Sequence, residues 1–141
     1  MEVTILHKKS KAMKVFDKEE WKLYDQKHFG REVEWKTHIY FLKAYEGKEI
    51  IGTMELKIEA GTGSIKTLLV EHTKQRSGVG KFLIQKAEEL TREHNGHKLF
   101  LSTGINWDAM KFYKAMGFIE EGVLKNHYFN IDFIQFAKFL K

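Results

Sequence analysis

The run from Leu68 to Lys81, LLVEHTKQRSGVGK, limits the fold more than any other stretch of the chain. An apolar, strand-like segment from Ile65 to Val70 stops abruptly in a polar loop. Two glycines separated by one residue then open a segment in which Val79, Phe82, Leu83, Ala87 and Leu90 recur at helical spacing, one stripe of an amphipathic helix. A strand, a short basic loop and a helix N-terminus form an anion site. The first helical turn leaves unpaired N–H groups with partial positive charge, and glycine lets an anion approach the backbone. Two familiar phosphate loops do not fit. Counting back from Gly80-Lys81, a P-loop would need glycine at Gln75 and Ser or Thr at Phe82. A dinucleotide fingerprint would need a small residue where Leu83 stands.

The rest of the composition narrows the class. The 141 residues suit a single domain over 1–141, long enough to bury about two thirds of its unfolded surface. A hydrophobic content of 43%, with 13% aromatic residues, argues for a packed core rather than disorder. With no cysteine, a disulfide, a thiolate nucleophile and a Cys-based metal site are all excluded. Met1-Glu2-Val3-Thr4 lacks the basic start of a signal peptide, and no apolar run approaches ~18 residues, so the expectation is a cytoplasmic protein without membrane association. The net charge of +5 suits an anionic ligand. Its lysines and arginines are interleaved with acidic residues, without a dense basic block, so nucleic acid is not expected as a partner.

Taken in order, the chain alternates strands and helices. Glu2 to Lys8 reads as a first strand with Val3 and Ile5 on one face. Asp17 with Glu20 three residues on forms a capping box for a first helix that stops near Gly30. Arg31 to Lys36 has no clear form. Ile39–Tyr45 and Glu49–Ala60 read as strands about a turn at Glu46-Gly47-Lys48, with Gly52 marking a bulge. After the Gly78 helix, Asn95-Gly96 ends the segment and Lys98–Ser102 is a short buried strand. Ala109, Phe112, Tyr113 and Met116 place a second helix before Gly117. From Phe118 on, two antiparallel strands are expected. Ile131, Phe133 and Phe139 alternate with Ile134, Phe136 and Leu140, apolar on both faces, so the last strand should lie inside a sheet.

Two segments carry a family likeness. Gln75-x-x-Gly78-x-Gly80 resembles the Q/R-x-x-G-x-G/A signature of the GNAT N-acetyltransferases. Asn106-x-x-Ala109-x-x-Phe112-Tyr113-x-x-x-Gly117-Phe118 is similar to that family's second motif, one strand further on. The element order β-α-β-β-β-α-β-α-β-β agrees over roughly Ile39 to Leu140. The resemblance implies a single-domain α/β fold, with a mixed, mostly antiparallel twisted sheet flanked by helices. It implies acetyl-CoA as acetyl donor and a primary amine as acceptor, on a small molecule or at a protein N-terminus or lysine. Monomer and homodimer both fit. A non-catalytic acyl-CoA sensor is the alternative reading. The stretch between first helix and second strand, which in the family shapes the acceptor pocket, is too short for a clear second helix.

Acetyl transfer from a thioester sets chemical demands that can be met residue by residue. The backbone of Gln75, Arg76, Ser77, Gly78, Val79 and Gly80 can hold a diphosphate, with Lys74, Arg76 and Lys81 adding charge. By the resemblance, Leu68, Leu69 and Val70 pair with the pantetheine arm, an amide there polarising the carbonyl. Asn106, Ala109 and Phe112 fall in the cofactor-binding motif; Asn106 is also placed to cap its helix. Tyr113, which also joins the cofactor site, matches the family's usual general acid, a phenol neutral at pH 7. No general base stands out among Glu71, His72 and His127. His38, His94 and His97 lack metal-ligand spacing, so no metal is expected.

Overall fold

The computed structural model describes residues 1–141, which divide into two compact units, Met1–Trp35 and Lys36–Lys141. The first unit holds one helix, α1 (Lys11–Phe29). Its N-cap is Ser10, whose hydroxyl accepts from Met13 N–H at 3.2 Å, and Gly30 closes the C-terminus at φ +68° by donating to Gln26 O at 2.9 Å. Asp17 is thus not the cap. Lys11 to Phe16 contains no helix breaker, so the helix runs back to the earlier serine, and Asp17 instead accepts from Lys9 at 2.7 Å. The strand expected at Glu2–Lys8 is absent. Val3 and Ile5 are 85% and 86% exposed, and alternation alone makes no strand where no ladder accepts it. Asp25 is buried, with Trp35 Nε1 donating to one carboxylate oxygen at 2.9 Å.

The second unit is a six-stranded sheet, β1 (His38–Glu46), β2 (Glu49–Glu59), β3 (Thr62–Val70), β4 (Lys98–Gly104), β5 (Ile119–Leu124) and β6 (Phe133–Phe139), with α2 (Val79–Glu93) after β3 and α3 (Ala109–Ala115) after β4. The spatial order is β1-β2-β3-β4-β6-β5, antiparallel except for the β3–β4 pair. This is the mixed, mostly antiparallel sheet expected, without its first strand. β6 lies between β4 and β5, which explains its two apolar faces: Phe133, Ile134, Phe136 and Ala137 are all buried.

The core lies between the sheet and α2. Met54, Leu56 and Ile58 alternate along β2 into the same cluster as Leu83, Ile84 and Ala87. Phe82 is not in the stripe; it is 70% exposed, because the buried face is centred on the Gly80, Ile84, Ala87 and Thr91 row. Gly52 lets α2 sit close. A Cβ there would meet Val79 Cγ1 at 2.7 Å, and the β1–β2 register shifts beside it, between Gly52 and Ile50.

Candidate active site

The site begins where the sheet comes apart. β3 and β4 pair only from Thr62–Ser64 to Lys98–Phe100. Both strands continue, to Val70 and to Gly104, without a ladder between them. A register shift in the β2–β3 ladder at Glu55/Leu56, where Lys66 is the extra residue, re-aims β3 at that point. One side of Ile65–Val70 is left without a strand partner.

The chain then turns sharply. Glu71 N–H donates to Ile51 O at 2.9 Å, and a single 3-10 turn spans His72–Lys74. Ser77 N–H donates to Lys74 O at 3.3 Å, with Gln75 extended and Arg76 at φ +66°, the geometry of a type II turn that usually takes glycine where Arg76 stands. Gly78, at φ +92°, opens α2. Phe82 N–H reaches Gly78 O at 3.0 Å, so the amides of Val79, Gly80 and Lys81 precede the first intrahelical bond.

Strand end, loop, α2 and α3 enclose a cavity of about 680 Å³. Leu68 and Val70 line it from β3; Gln75, Arg76, Gly78, Gly80 and Lys81 line it from the loop and first turn; Ala109, Phe112 and Tyr113 line it from α3. Two further residues, Asp108 and Lys111, escaped the sequence reading because they occupy variable positions of the second motif. The remaining positions do not line it. Leu69 faces the other side of the sheet and is 66% exposed. The Ser77 hydroxyl donates to Lys74 O, and the Val79 side chain is buried beside Gly52. Asn106, at φ +68°, has its N–H against Met110 Sδ at 2.9 Å. It does not cap α3, whose N-cap position is Asp108.

The two motif glycines do different things. A Cβ on Gly78 would meet nothing within 4 Å, so open space lies before the loop amides. A Cβ on Gly80 would strike the Phe112 ring at 2.9 Å, so that glycine lets α3 close against α2. Free amides, that open space and the unpaired cations of Arg76, Lys81 and Lys111 fit an anionic group of diphosphate size.

Tyr113 sits at the inner wall, its ring 5.2 Å from Phe112, 5.7 Å from Phe118 and 6.1 Å from Phe136. Burial pushes its phenol up to about 12, so it keeps its proton at neutral pH. The Glu71 carboxylate accepts from Thr73 N–H at 3.1 Å and from the Thr73 hydroxyl, with His72 Nδ1 3.2 Å away. The Thr73 hydroxyl bond, more than any other influence, holds this carboxyl below the usual range. His127 packs 4.2 Å from Tyr128 and 5.3 Å from Phe133, and borders neither this cavity nor the one beside Glu71.

Residues 7–118 match the model of the Acetyltransferase (GNAT) family. This chain belongs to that family. Solved GNAT-like folds agree with it. An acetyltransferase from Bacillus cereus ATCC 14579 is similar at 20% identity and TM-score 0.73, over 97% of this chain and 98% of that one. A GNAT family acetyltransferase from Elizabethkingia anophelis, with acetyl-CoA bound, matches at 22% identity and TM-score 0.67, over 72% and 76%. The ribosomal-protein-S18-alanine N-acetyltransferase from Escherichia coli matches at 17% and 0.66, over 73% and 70%. As a GNAT acetyltransferase the protein is an enzyme that takes its acetyl group from acetyl-CoA. No helix in it is long and apolar enough to cross a membrane.

Proposed function

We propose that residues 1–141 form one catalytic domain that transfers an acetyl group from acetyl-CoA to a primary amine by direct attack. The observation that carries this reading is the single cavity in which the loop of Gln75 to Lys81 and the phenol of Tyr113 meet beside the unpaired length of β3. The thioester supplies an activated acetyl carbon. The amides of Gly78 to Lys81 and the charges of Arg76, Lys81 and Lys111 hold the diphosphate and orient the donor. Backbone groups of Leu68 to Val70, free of a strand on one side, bind the pantetheine amides, and one of their N–H groups polarises the carbonyl. The amine nitrogen forms the new C–N bond as the C–S bond breaks. The acceptor nitrogen gives up its ammonium proton to water before it attacks. Tyr113 then gives its proton to the departing sulfur, and the second proton lost by the nitrogen passes through water to restore the phenol. Transfer needs no covalent enzyme intermediate: the chain has no cysteine, and no serine hydroxyl is paired with a histidine.

An acceptor screen read by free thiol release tests this. Thiol release that depends on a primary amine, with initial-rate lines that intersect when both substrates are varied, is the expected result. Parallel lines would mean a covalent acetyl-enzyme, and thiol release indifferent to amine would mean hydrolysis; either one refutes direct transfer.

A further inference from the structure

A second, shallow and open site of about 390 Å³ lies at the ends of β2 and β3, and its composition differs from that of the first. Its walls are aliphatic: Ile50 and Ile51 from β2, Leu69 and Val70 from β3. Its polar side is Glu71 with His72, and Thr53 of β2 adds a hydroxyl-bearing side chain to the lining. Ile50 and Leu69 are exposed, at 55% and 66%. The Glu71 side chain remains 35% exposed, with Oε2 held by two Thr73 donors and Oε1 3.2 Å from His72 Nδ1. Lys74, the nearest lysine along the chain, is directed to Glu46 at 3.4 Å. Glu71 therefore presents an oriented carboxylate next to uncovered aliphatic surface, one oxygen held by Thr73 and the other beside the exposed His72 ring.

The placement matters as much as the chemistry. Val70 lines both this site and the cavity beside α2 and α3, while its neighbours Leu68 and Leu69 each line only one of the two. A molecule here is one residue away from the strand end where, on the reading above, the thioester carbonyl lies. We propose that this is the acceptor site and that it selects a primary ammonium carried on an apolar body, such as an arylalkylamine or alkylamine. Glu71 receives the ammonium and Leu69 with Ile50 covers the apolar part. A polyamine would leave cations against aliphatic walls, and a free amino acid would bring its own carboxylate toward Glu71; both are disfavoured. Glu71 acts here as a positioning residue.

This inference rests on the acetyltransfer reading, and the test separates the two. Binding of phenethylamine to the enzyme–coenzyme A complex is followed by saturation-transfer NMR, and initial rates are measured with phenethylamine, spermidine and leucine. Phenethylamine should be the best of the three by at least ~10-fold in kcat/KM. Glu71→Gln should raise its KM ~10-fold or more and reduce its NMR signal, with coenzyme A affinity held. Leu69→Asn should narrow the preference over spermidine. A Glu71→Gln enzyme that binds phenethylamine as well as wild type overturns the site, whatever the rates. Phenethylamine that binds in a Glu71-dependent way without being acetylated supports the site and refutes acetyl transfer to this class.

Discussion

At the scale of single residues, Tyr113 combines two properties that usually conflict. It is a core aromatic, 8% exposed and edge-on to Phe112 and Phe118, and it also borders the cavity with a phenol that burial keeps protonated. Tyr113→Phe keeps the ring and removes only the oxygen. Coenzyme A affinity should change little, while the single-turnover rate with the best amine falls ~10²-fold or more, mainly in kcat. A Phe variant with the full rate from pH 6 to 9 would leave Tyr113 as packing alone. Its helical spacing and its place in the second motif made this residue visible in the sequence. Asp108 and Lys111 were not visible, because they stand at positions the motif leaves variable. Asn106 was visible but does not line the cavity; its backbone, at φ +68°, gives its N–H to Met110 Sδ.

Among the elements, α2 and α3 depend on a contact that a glycine permits. Gly80 carries no Cβ, and the Phe112 ring occupies the space one would fill. Gly80→Leu should push Phe112 out of place, lowering the melting temperature and weakening coenzyme A binding at least ~10-fold by calorimetry. Gly78→Ala should act differently. Its Cβ meets nothing, so the cost is the backbone strain of φ +92°, about 1–2 kcal/mol in chemical denaturation. Equal stability losses at the two positions, with equal affinities, would undo this distinction. The strand–loop–helix unit was legible because its signals are local: an apolar run, two glycines, a periodic stripe. The expected strand at Glu2–Lys8 failed because strands are made by partners, which alternation of Val3 and Ile5 does not supply. The α1 cap moved from Asp17 to Ser10 because both are good caps and nothing between them stops a helix.

For the whole molecule, the buried phenol ties stability to alkaline pH. A pKa near 12 in the fold, against about 10 for an exposed tyrosine, means that folding favours the protonated form. That stabilisation, about 2–3 kcal/mol, is fully present below pH 10 and is lost as pH rises from 10 through 12. Denaturant unfolding at pH 9 and pH 12 should therefore show a larger loss for wild type than for Tyr113→Phe. Equal losses in the two proteins would place the phenol in a more watery setting than its neighbours indicate. Positive charge behaves as composition foretold only in part: Lys74, Lys98 and Lys138 are committed to Glu46, Glu121 and Glu88, whereas the cations at the cavity are not.

The parted strands have a further consequence for motion. A sheet with an open seam is a zipper stopped part-way, its teeth engaged from Thr62 to Ser64 and idle from Ile65 to Val70 on that side. Idle amides exchange with solvent quickly, and a ligand that bonds to them does the work of the missing strand. Adding coenzyme A should slow hydrogen–deuterium exchange at seam-facing amides of Ile65–Val70 and leave Thr62–Ser64 as slow as before. Protection confined to the Gly78 turn, with none along the strand, would mean that the arm of the ligand lies elsewhere. With protection along Ile65–Val70, the donor is instead bound by being counted, for the length of each catalytic cycle, as a seventh strand.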